Sequence, residues 1–198
     1  MLKDPLHWFP DPYFSTLLFI LIVLIYLADV LAPQLAKRSS SDSPTLCGDR
    51  GSFILIQVFI LTGILAAIAL HQLNLGLLPG ALQYFGLLFI PLGLFVCTWA
   101  IVRLGRYFSS VVEIENAHQL ITAGPYRWLR HPAYTGMLIV HLGIGLALGS
   151  GPGVVIMFIL LAVATLYRIR VEEEVLVQAF GDEYRCYMEH TWRLFPGW

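Results

Sequence analysis

The sequence predicts an all-α, polytopic membrane protein with about five transmembrane helices, followed by a cytoplasmic carboxy-terminal helix. Of its 198 residues, 58% are hydrophobic and only 13% are charged, whereas soluble domains are usually about 25% charged. The mean hydropathy is +0.73. With histidine counted as neutral, charges are also absent from three long stretches, 12–28, 51–102 and 131–167. These observations exclude an ordinary water-soluble domain, and we expect no nucleic acid among the partners.

The charge-free stretches are long enough to hold five spans. A helix needs about 20 apolar residues to cross roughly 30 Å of hydrocarbon. On this measure the first stretch holds one span and each of the other two holds two. Glycine and proline mark turns within the second and third stretches, at 71–80 and 149–153. We therefore predict spans near 13–33, 52–70, 82–102, 133–149 and 152–169.

Basic residues lie almost entirely on one side of this topology. Eleven of the twelve lysines and arginines fall between the first and second spans, between the third and fourth, or after the fifth. The positive-inside rule then places the amino terminus outside, and the segment 103–132 and the carboxy-terminal tail in the cytoplasm. The Ser-rich loop 34–51 is typical of a linker rather than a site.

The chain beyond the fifth span predicts a cytoplasmic helix. Residues 171–190 mix acidic and apolar side chains, which indicates a helix with at least one apolar face, broken at Gly181. We divide the chain into a three-span region, 1–112, and a carboxy-terminal region, 113–198. Because the fourth and fifth spans form a tight hairpin, they bring 103–132 close to 170–198. We expect any active site at that junction.

The polar segment that enters the fourth span is the first candidate site. A helix start accounts for Arg130, which can extend to lipid phosphates, and for the proline after His131. It does not account for His131 and Tyr134, which lie three residues apart on one helical face. These two side chains offer hydrogen-bonding groups beside Tyr126 and His118. The pattern favours a ligand site at the cytoplasmic end of this span.

The second candidate lies at the cytoplasmic end of the fifth span. Arg168 with Glu172 and Arg170 with Glu174 have the spacing of surface ion pairs, which are worth only tenths of a kcal/mol. Ionisable residues at the edge of the hydrocarbon are costly, however, unless they face protein or a water-filled cavity. Arg168 can bind a carboxylate bidentately, and a glutamate can bind an amine or a sulfonium or act as a base.

Small and polar residues inside the fourth span have a simpler interpretation. Gly143 and Gly145 predict a helix-packing surface. His141 predicts an interhelical hydrogen bond, with a ligand as the less favoured alternative. The three cysteines lack CxxC spacing or a histidine-rich cluster. Neither a metal site nor a disulfide is indicated.

Together these motifs resemble the isoprenylcysteine carboxyl methyltransferase family over residues 113–196. The tail contributes the glutamate run 172–174, the segment 180–184 and the segment 193–196. Other membrane methyltransferases and some sterol reductases are similar around residues 130–134. The leading part of the motif consists of His118, Leu120, Gly124, Tyr126, Arg130, His131, Pro132 and Tyr134.

The resemblance implies that S-adenosylmethionine binds in a cytoplasm-facing cavity built by the last two spans and the tail. It also implies that Arg168 and Glu173 lie at the methyl acceptor. Five residues on a continuous helix are about 140° apart, so we expect a bend near Arg170. If the helix is straight, Arg168 pairs better with Glu172. The implied cofactor-binding residues are His118, Leu120, Gly124, Tyr126, Arg130, His131 and Tyr134, with Glu183 and Tyr184 closing the pocket.

The expected activity is therefore methylation of a lipophilic or small carboxylate, thiol or amine within the membrane. An NADPH-dependent isoprenoid or sterol reductase is the alternative enzyme, although the glutamate run argues against it. A non-enzymatic scaffold or transporter predicts polar residues at mid-membrane, whereas polarity here gathers at one face. The compact size favours a prokaryotic inner membrane, with the endoplasmic reticulum as the eukaryotic alternative, and the site faces the cytoplasm.

Overall fold

A computed structural model describes residues 13–14, 16–22, 24–25, 46–47, 49–108, 113–114 and 119–197. Its main elements are helices, and a two-residue antiparallel pair joins β1 (Leu46–Cys47) to β2 (Glu113–Ile114). Short 3-10 turns span Gly105–Tyr107 and Gly124–Arg127. The named helices are α1 (Ser52–Gln72), α2 (Gly80–Leu104), α3 (Pro132–Leu148), α4 (Gly151–Phe180) and α5 (Asp182–His190).

Helices α1 to α4 coincide with the second to fifth predicted spans. By length and composition α1, α2 and α4 can cross a membrane, and α3 is a shorter apolar helix. The predicted first span, 13–33, is helical at its described residues as far as 25, and its remainder lies outside the described part. Helix α4 continues through the predicted cytoplasmic helix. The expected break occurs at Gly181, whose φ of 56° favours glycine.

Helices α2 and α3 pack closely because glycines face each other at two levels. A Cβ atom on Gly143 would lie 2.7 Å from the carbonyl oxygen of Gly86. About two helical turns away, a Cβ on Gly93 would lie 2.6 Å from the carbonyl oxygen of Gly136. The absence of side chains therefore lets the two backbones touch, as in other membrane helix pairs. The predicted packing surface at Gly143 is confirmed.

Replacing Gly93 with alanine should destabilise the bundle. Its new methyl group would meet the backbone of α3, which cannot move aside, so overpacking should cost about 1–3 kcal/mol. Gly145→Ala is the matched control, because its nearest neighbour is the flexible end of Met157, at 2.8 Å. Thermal unfolding in detergent should show a lower midpoint for Gly93→Ala than for Gly145→Ala. Equal midpoints would contradict the proposed backbone contact.

Helices α1 and α4 form the second close pair. Gly63 packs on Met157 and Gly153 packs on Ala67, so the two helices run antiparallel. The same register places Ser52, the first residue of α1, opposite Arg168. The charged end of α4 is thereby anchored against the start of α1.

The tail docks on the segment that leads into α3. The backbone N–H of Trp192 donates to the carbonyl of Trp128 at 3.0 Å, and Arg130 N–H donates to the carbonyl of Trp192 at 2.7 Å. The Thr135 hydroxyl donates to the Leu194 carbonyl at 2.7 Å. These bonds bring the two predicted polar segments together, as expected from the α3–α4 hairpin.

Candidate functional site

Arg168 is the buried cation at the centre of the first cluster, with only 4% of its surface exposed. Its Nη1 donates to Asp49 Oδ1 at 2.6 Å and to the Ser52 hydroxyl at 2.8 Å. Its Nε donates to the Tyr134 hydroxyl at 2.7 Å. A buried charge is tolerated when it is paired and hydrogen-bonded. These partners fix the plane of the guanidinium.

Tyr134 connects Arg168 to Glu172. Its hydroxyl accepts from Arg168 and donates to Glu172 Oε2 at 2.8 Å. The predicted bend near Arg170 is wrong, because α4 is a continuous helix from Gly151 to Phe180. Four residues on such a helix are only about 40° apart. The geometry therefore agrees with the straight-helix alternative, in which Arg168 and Glu172 share a face, with Tyr134 as the bridge.

Glu173 is the centre of a second cluster on the neighbouring face of α4. Arg193 binds it with two bonds, Nη2 to Oε2 at 2.6 Å and Nε to Oε1 at 3.2 Å. Arg130 Nε donates to Oε1 at 3.1 Å, and His131 Nε2 lies 3.4 Å from the same oxygen. The carboxylate is buried, and bidentate arginine pairs are among the strongest hydrogen bonds to such a group. Glu173 thus joins α4 to both polar segments, and the structure places Arg130, His131 and Arg193, rather than Arg168, around it.

Arg130 also secures the end of α5. Its Nη1 donates to the carbonyl oxygens of Met188 and Thr191, at 2.7 and 2.6 Å. The last carbonyls of a helix lack partners within the helix, and a cation satisfies them well. Arg130 therefore ties α5 to Glu173 and does more than extend to lipid phosphates.

The electrostatics of Glu173 predict an acid-sensitive fold. Burial raises the pKa of its carboxyl, but hydrogen bonds and charges from His131 and Arg193 together lower it to about 2, against an ordinary value of 4.5. A lowered pKa stabilises the folded state fully above pH 4.5, and that stabilisation is lost as the pH falls toward 2. The midpoint temperature of thermal unfolding in detergent should therefore fall as the pH is lowered from 6 to 2.

Two variants test this acid sensitivity. Glu173→Gln has no carboxyl to protonate, so its unfolding midpoint should depend less on pH over this range. Asp182→Asn should keep the wild-type slope, because Asp182 pairs with Arg185 on an exposed surface. A wild-type slope in Glu173→Gln would assign the acid sensitivity to other groups.

The turn at Gly124 and Tyr126, which we predicted as part of a cofactor site, is held by close packing. Gly124 has a φ of 67°, and a Cβ there would lie 2.9 Å from the side chain of Arg103. Tyr126 is buried, and its carbonyl accepts a 2.7 Å bond from the Tyr187 hydroxyl. A glycine is therefore required at this turn, and α5 holds the turn in place.

Tyr184 supplies a buried polar group that points to a ligand. Its ring is fully buried, and its hydroxyl has no hydrogen-bond partner among the described residues. Burial and the negative charges of Glu173 and Glu172 raise the pKa of the phenol. Leaving such a group unsatisfied costs about 1–3 kcal/mol. A polar cofactor group at this position would remove that cost.

The remaining predicted cofactor residues are less tightly placed. Glu183 is exposed in the first turn of α5, and Leu120 is half-buried ahead of the Gly124 turn. His118 lies outside the described residues. The structure places Arg130 and His131 in contact with Glu173. Tyr134 stacks on His131, and Tyr184 lies close enough to Glu173 for the carboxylate to raise the pKa of its phenol.

Three functional residues were missed by sequence reasoning. Asp49 lies near the end of the loop 34–51, which we interpreted as a linker. That interpretation is wrong for the end of the loop, because Asp49 and the neighbouring Ser52 bind Arg168. Arg193 was one of several tail cations, but it makes the bidentate contact to Glu173. The short spacing between Asp49 and Ser52 carried no recognisable signal, whereas Arg193 lay within the family-like segment 193–196.

A cavity of about 280 Å³ lies beside the first cluster. Arg168 and Tyr134 line it, and most of the other lining side chains are apolar. Helices α1, α2 and α3 form its walls. His141 also lines it, but the predicted interhelical bond is wrong, because His141 Nδ1 bonds to the Met137 carbonyl of its own helix at 2.8 Å. The cavity can therefore hold an apolar chain whose polar end meets Arg168.

Comparisons with known proteins agree with the predicted resemblance. A model of the isoprenylcysteine carboxyl methyltransferase (ICMT) family matches residues 86–178. A probable protein-S-isoprenylcysteine O-methyltransferase of Oryza sativa subsp. indica is 38% identical over 109 residues, which cover 54% of this chain and 57% of the relative. The protein-S-isoprenylcysteine O-methyltransferase of Schizosaccharomyces pombe is 36% identical over 101 residues, covering 50% of this chain and 43% of the relative.

The fold is similar to that of a solved eukaryotic intramembrane Ras methyltransferase ICMT. The TM-score is 0.67 at 21% identity, with 100% of this chain and 69% of that chain covered. The chain spans less than two thirds of the length of the curated relatives named above. The family match begins in α2, earlier than the predicted start at 113, and ends before Glu183 and Tyr184. The resemblance to the family is confirmed, as is the polytopic, helical membrane fold.

Proposed function

From the family match over residues 86–178, we propose that this chain is a membrane methyltransferase that uses S-adenosylmethionine to methylate a lipophilic carboxylate. The observation that carries the proposal is the buried Arg168 at one end of a largely apolar cavity. Guanidinium groups bind carboxylates with high geometric specificity. A thiol or an amine would gain nothing from a cation at this place. The protein-S-isoprenylcysteine O-methyltransferases that the chain resembles support the same class of acceptor.

The residues present fit a polar cofactor beside the Glu173 cluster. The rings of His131 and Tyr134 stack with centroids 5.7 Å apart, and the Tyr184 hydroxyl is buried without a partner among the described residues. We propose that these three residues hold the cofactor together with Arg130 and the turn at Gly124. In this proposal His118, Leu120, Tyr126 and Glu183 complete the pocket. Glu173 acts as a positioning residue, because its oxygens are occupied by Arg130, His131 and Arg193.

In the proposed mechanism the protein acts mainly by positioning the two reactants. His131, Tyr134 and Tyr184 would hold S-adenosylmethionine, which would supply an activated methyl group to the acceptor oxygen and leave as a neutral thioether. Arg168 orients the acceptor carboxylate toward the methyl group. The hydrogen bond from Arg168 to Tyr134 fixes the orientation of the guanidinium relative to the cofactor residues. The apolar cavity excludes water, which strengthens these electrostatic contacts. No proton transfer is required, because the acceptor already carries a carboxylate.

The proposed site faces the cytoplasm. The distribution of lysine and arginine supports a cytoplasmic position for the Glu173 cluster and the tail. In this arrangement the region 1–112 supplies two walls of the acceptor cavity through α1 and α2, and the region 113–198 supplies the cofactor site. We propose a prokaryotic inner membrane as the location, with the endoplasmic reticulum as the eukaryotic alternative.

Calorimetric binding tests the cofactor directly. Detergent-purified protein should bind S-adenosylmethionine with micromolar affinity and should not bind NADPH. His131→Ala should lose most of this binding, because the ring stacks on Tyr134 and contacts Glu173. His190→Ala is the matched control, since His190 is exposed at the end of α5. Binding of NADPH alone would favour the reductase, and binding of neither would favour a non-enzymatic scaffold.

A further inference from the structure

Two of the polar side chains in the acceptor cavity have no role in methyl transfer and offer hydrogen-bond acceptors. They are Gln57 of α1 and His141 of α3, which both line the cavity. The carboxamide oxygen of Gln57 is buried and has no hydrogen-bond partner among the described residues. An unsatisfied carbonyl in an apolar environment is unfavourable. Its position therefore indicates a ligand group that donates a hydrogen bond.

His141 offers the cavity a second hydrogen-bond acceptor. Its Nδ1 lies 2.8 Å from the carbonyl oxygen of Met137, which can only accept, so Nδ1 carries the hydrogen. In the neutral ring Nε2 is then a hydrogen-bond acceptor. Gln57 and His141 therefore contribute one acceptor each to a cavity whose other walls are mostly apolar.

The two acceptors lie at similar depths. Gln57 is five residues after Ser52, which binds Arg168, so it lies roughly 8 Å deeper along α1. His141 is seven residues after Tyr134, which also binds Arg168, so it lies roughly 10 Å deeper along α3. An acceptor molecule bound at Arg168 would pass both groups at about the same distance from its carboxylate.

We propose that the cavity selects a lipophilic carboxylate with a hydroxyl group part-way along its chain, held by Gln57 Oε1 and His141 Nε2. This inference deepens the proposed function and rests on it, since the carboxylate is taken to bind at Arg168. A plain hydrocarbon chain would leave both acceptors unsatisfied. A site built to hydrogen-bond a hydroxyl discriminates strongly against the analogue that lacks it.

A matched pair of fatty acids tests the selection. Binding of hexadecanoic acid and of the same acid hydroxylated near mid-chain is measured calorimetrically in lipid nanodiscs, with empty nanodiscs as the blank. The hydroxylated acid should bind about tenfold more tightly. Gln57→Leu and His141→Leu should each reduce this ratio, mainly by improving the binding of hexadecanoic acid. Met137→Leu, which changes an apolar residue of the same cavity, should keep it. Retained binding of S-adenosylmethionine verifies that each variant is folded.

The outcomes separate this inference from the proposed function. Equal affinity of the two acids for the wild-type protein would overturn the inference, whichever acid is methylated. A preference that survives in both leucine variants would overturn the assignment to Gln57 and His141. A preference without methyl transfer from S-adenosylmethionine would support the selection and reject the methyltransferase. If neither acid binds, both the inference and the proposed acceptor class fail.

Discussion

Replacing Arg168 with lysine should lower kcat/KM for methyl transfer about 100-fold, because misplacing a reacting group by about 1 Å is enough for such a loss. The guanidinium binds Asp49, Ser52 and Tyr134 through two different nitrogens in one plane. An ammonium group keeps the charge but not the planar fork. Lysine therefore cannot hold Tyr134 and an acceptor carboxylate in their present orientations. Because Arg168 reaches the proposed cofactor residues only through Tyr134, the affinity for S-adenosylmethionine should fall much less than kcat/KM.

Steady-state kinetics and calorimetry of cofactor binding distinguish this loss of kcat/KM from a general loss of folded structure. Arg170→Lys is the matched control, since Arg170 lies on the same helix but is exposed, and its kinetics should match the wild type. An Arg168→Lys enzyme with wild-type kcat/KM would remove Arg168 from the acceptor site. A parallel loss of cofactor affinity would indicate that the two clusters are coupled through Tyr134.

Replacing Glu173 with glutamine should destabilise the protein by about 3–5 kcal/mol, the usual cost of removing one partner from a buried ion pair. The carboxylate compensates Arg130 and Arg193 at once. Glutamine keeps the shape but leaves two arginines without their counter-charge. The tail and α5 should then be the first parts to detach from the segment that leads into α3, because Arg130 also binds the carbonyls of Met188 and Thr191.

Thermal unfolding and limited proteolysis measure this loss. Glu173→Gln should unfold at a lower temperature, and proteases should cut its tail faster than that of the wild type. Glu174→Gln is the neighbouring control, because its pair with Arg50 is more than half exposed on both sides. Exposed pairs contribute about 0–1 kcal/mol. Similar stabilities of the two variants would show that the Glu173 cluster does not hold the tail.

The sequence was sufficient to predict the helices because a membrane leaves few alternatives. Charge-free stretches of limited length, interrupted by glycine and proline at 71–80 and 149–153, predicted the bounds of α1 to α3 and the start of α4 within a few residues. The break at Gly181 was predictable for the same local reason. The continuation of α4 beyond the hydrocarbon was not, because nothing local distinguishes one long helix from two that abut.

The partners within the site were harder to predict. His131, Tyr134, Arg168 and Glu173 were identified as candidates, but Asp49 and Ser52, which both bind Arg168, were not. Contacts between residues more than one hundred positions apart depend on the register of α1 against α4. That register is set by packing at Gly63 and Gly153, which periodicity in one sequence cannot show.

The docking of the tail on Glu173 also separates assembly of the helical bundle from assembly of the proposed cofactor site. Helices α1 to α4 pack on one another through glycines and apolar side chains. Helix α5, which carries Tyr184, is held to the rest of the protein by hydrogen bonds that involve Arg130 and Tyr187. The bundle can therefore form without the docked tail, and a bundle whose tail is undocked would remain in the membrane without its proposed cofactor site.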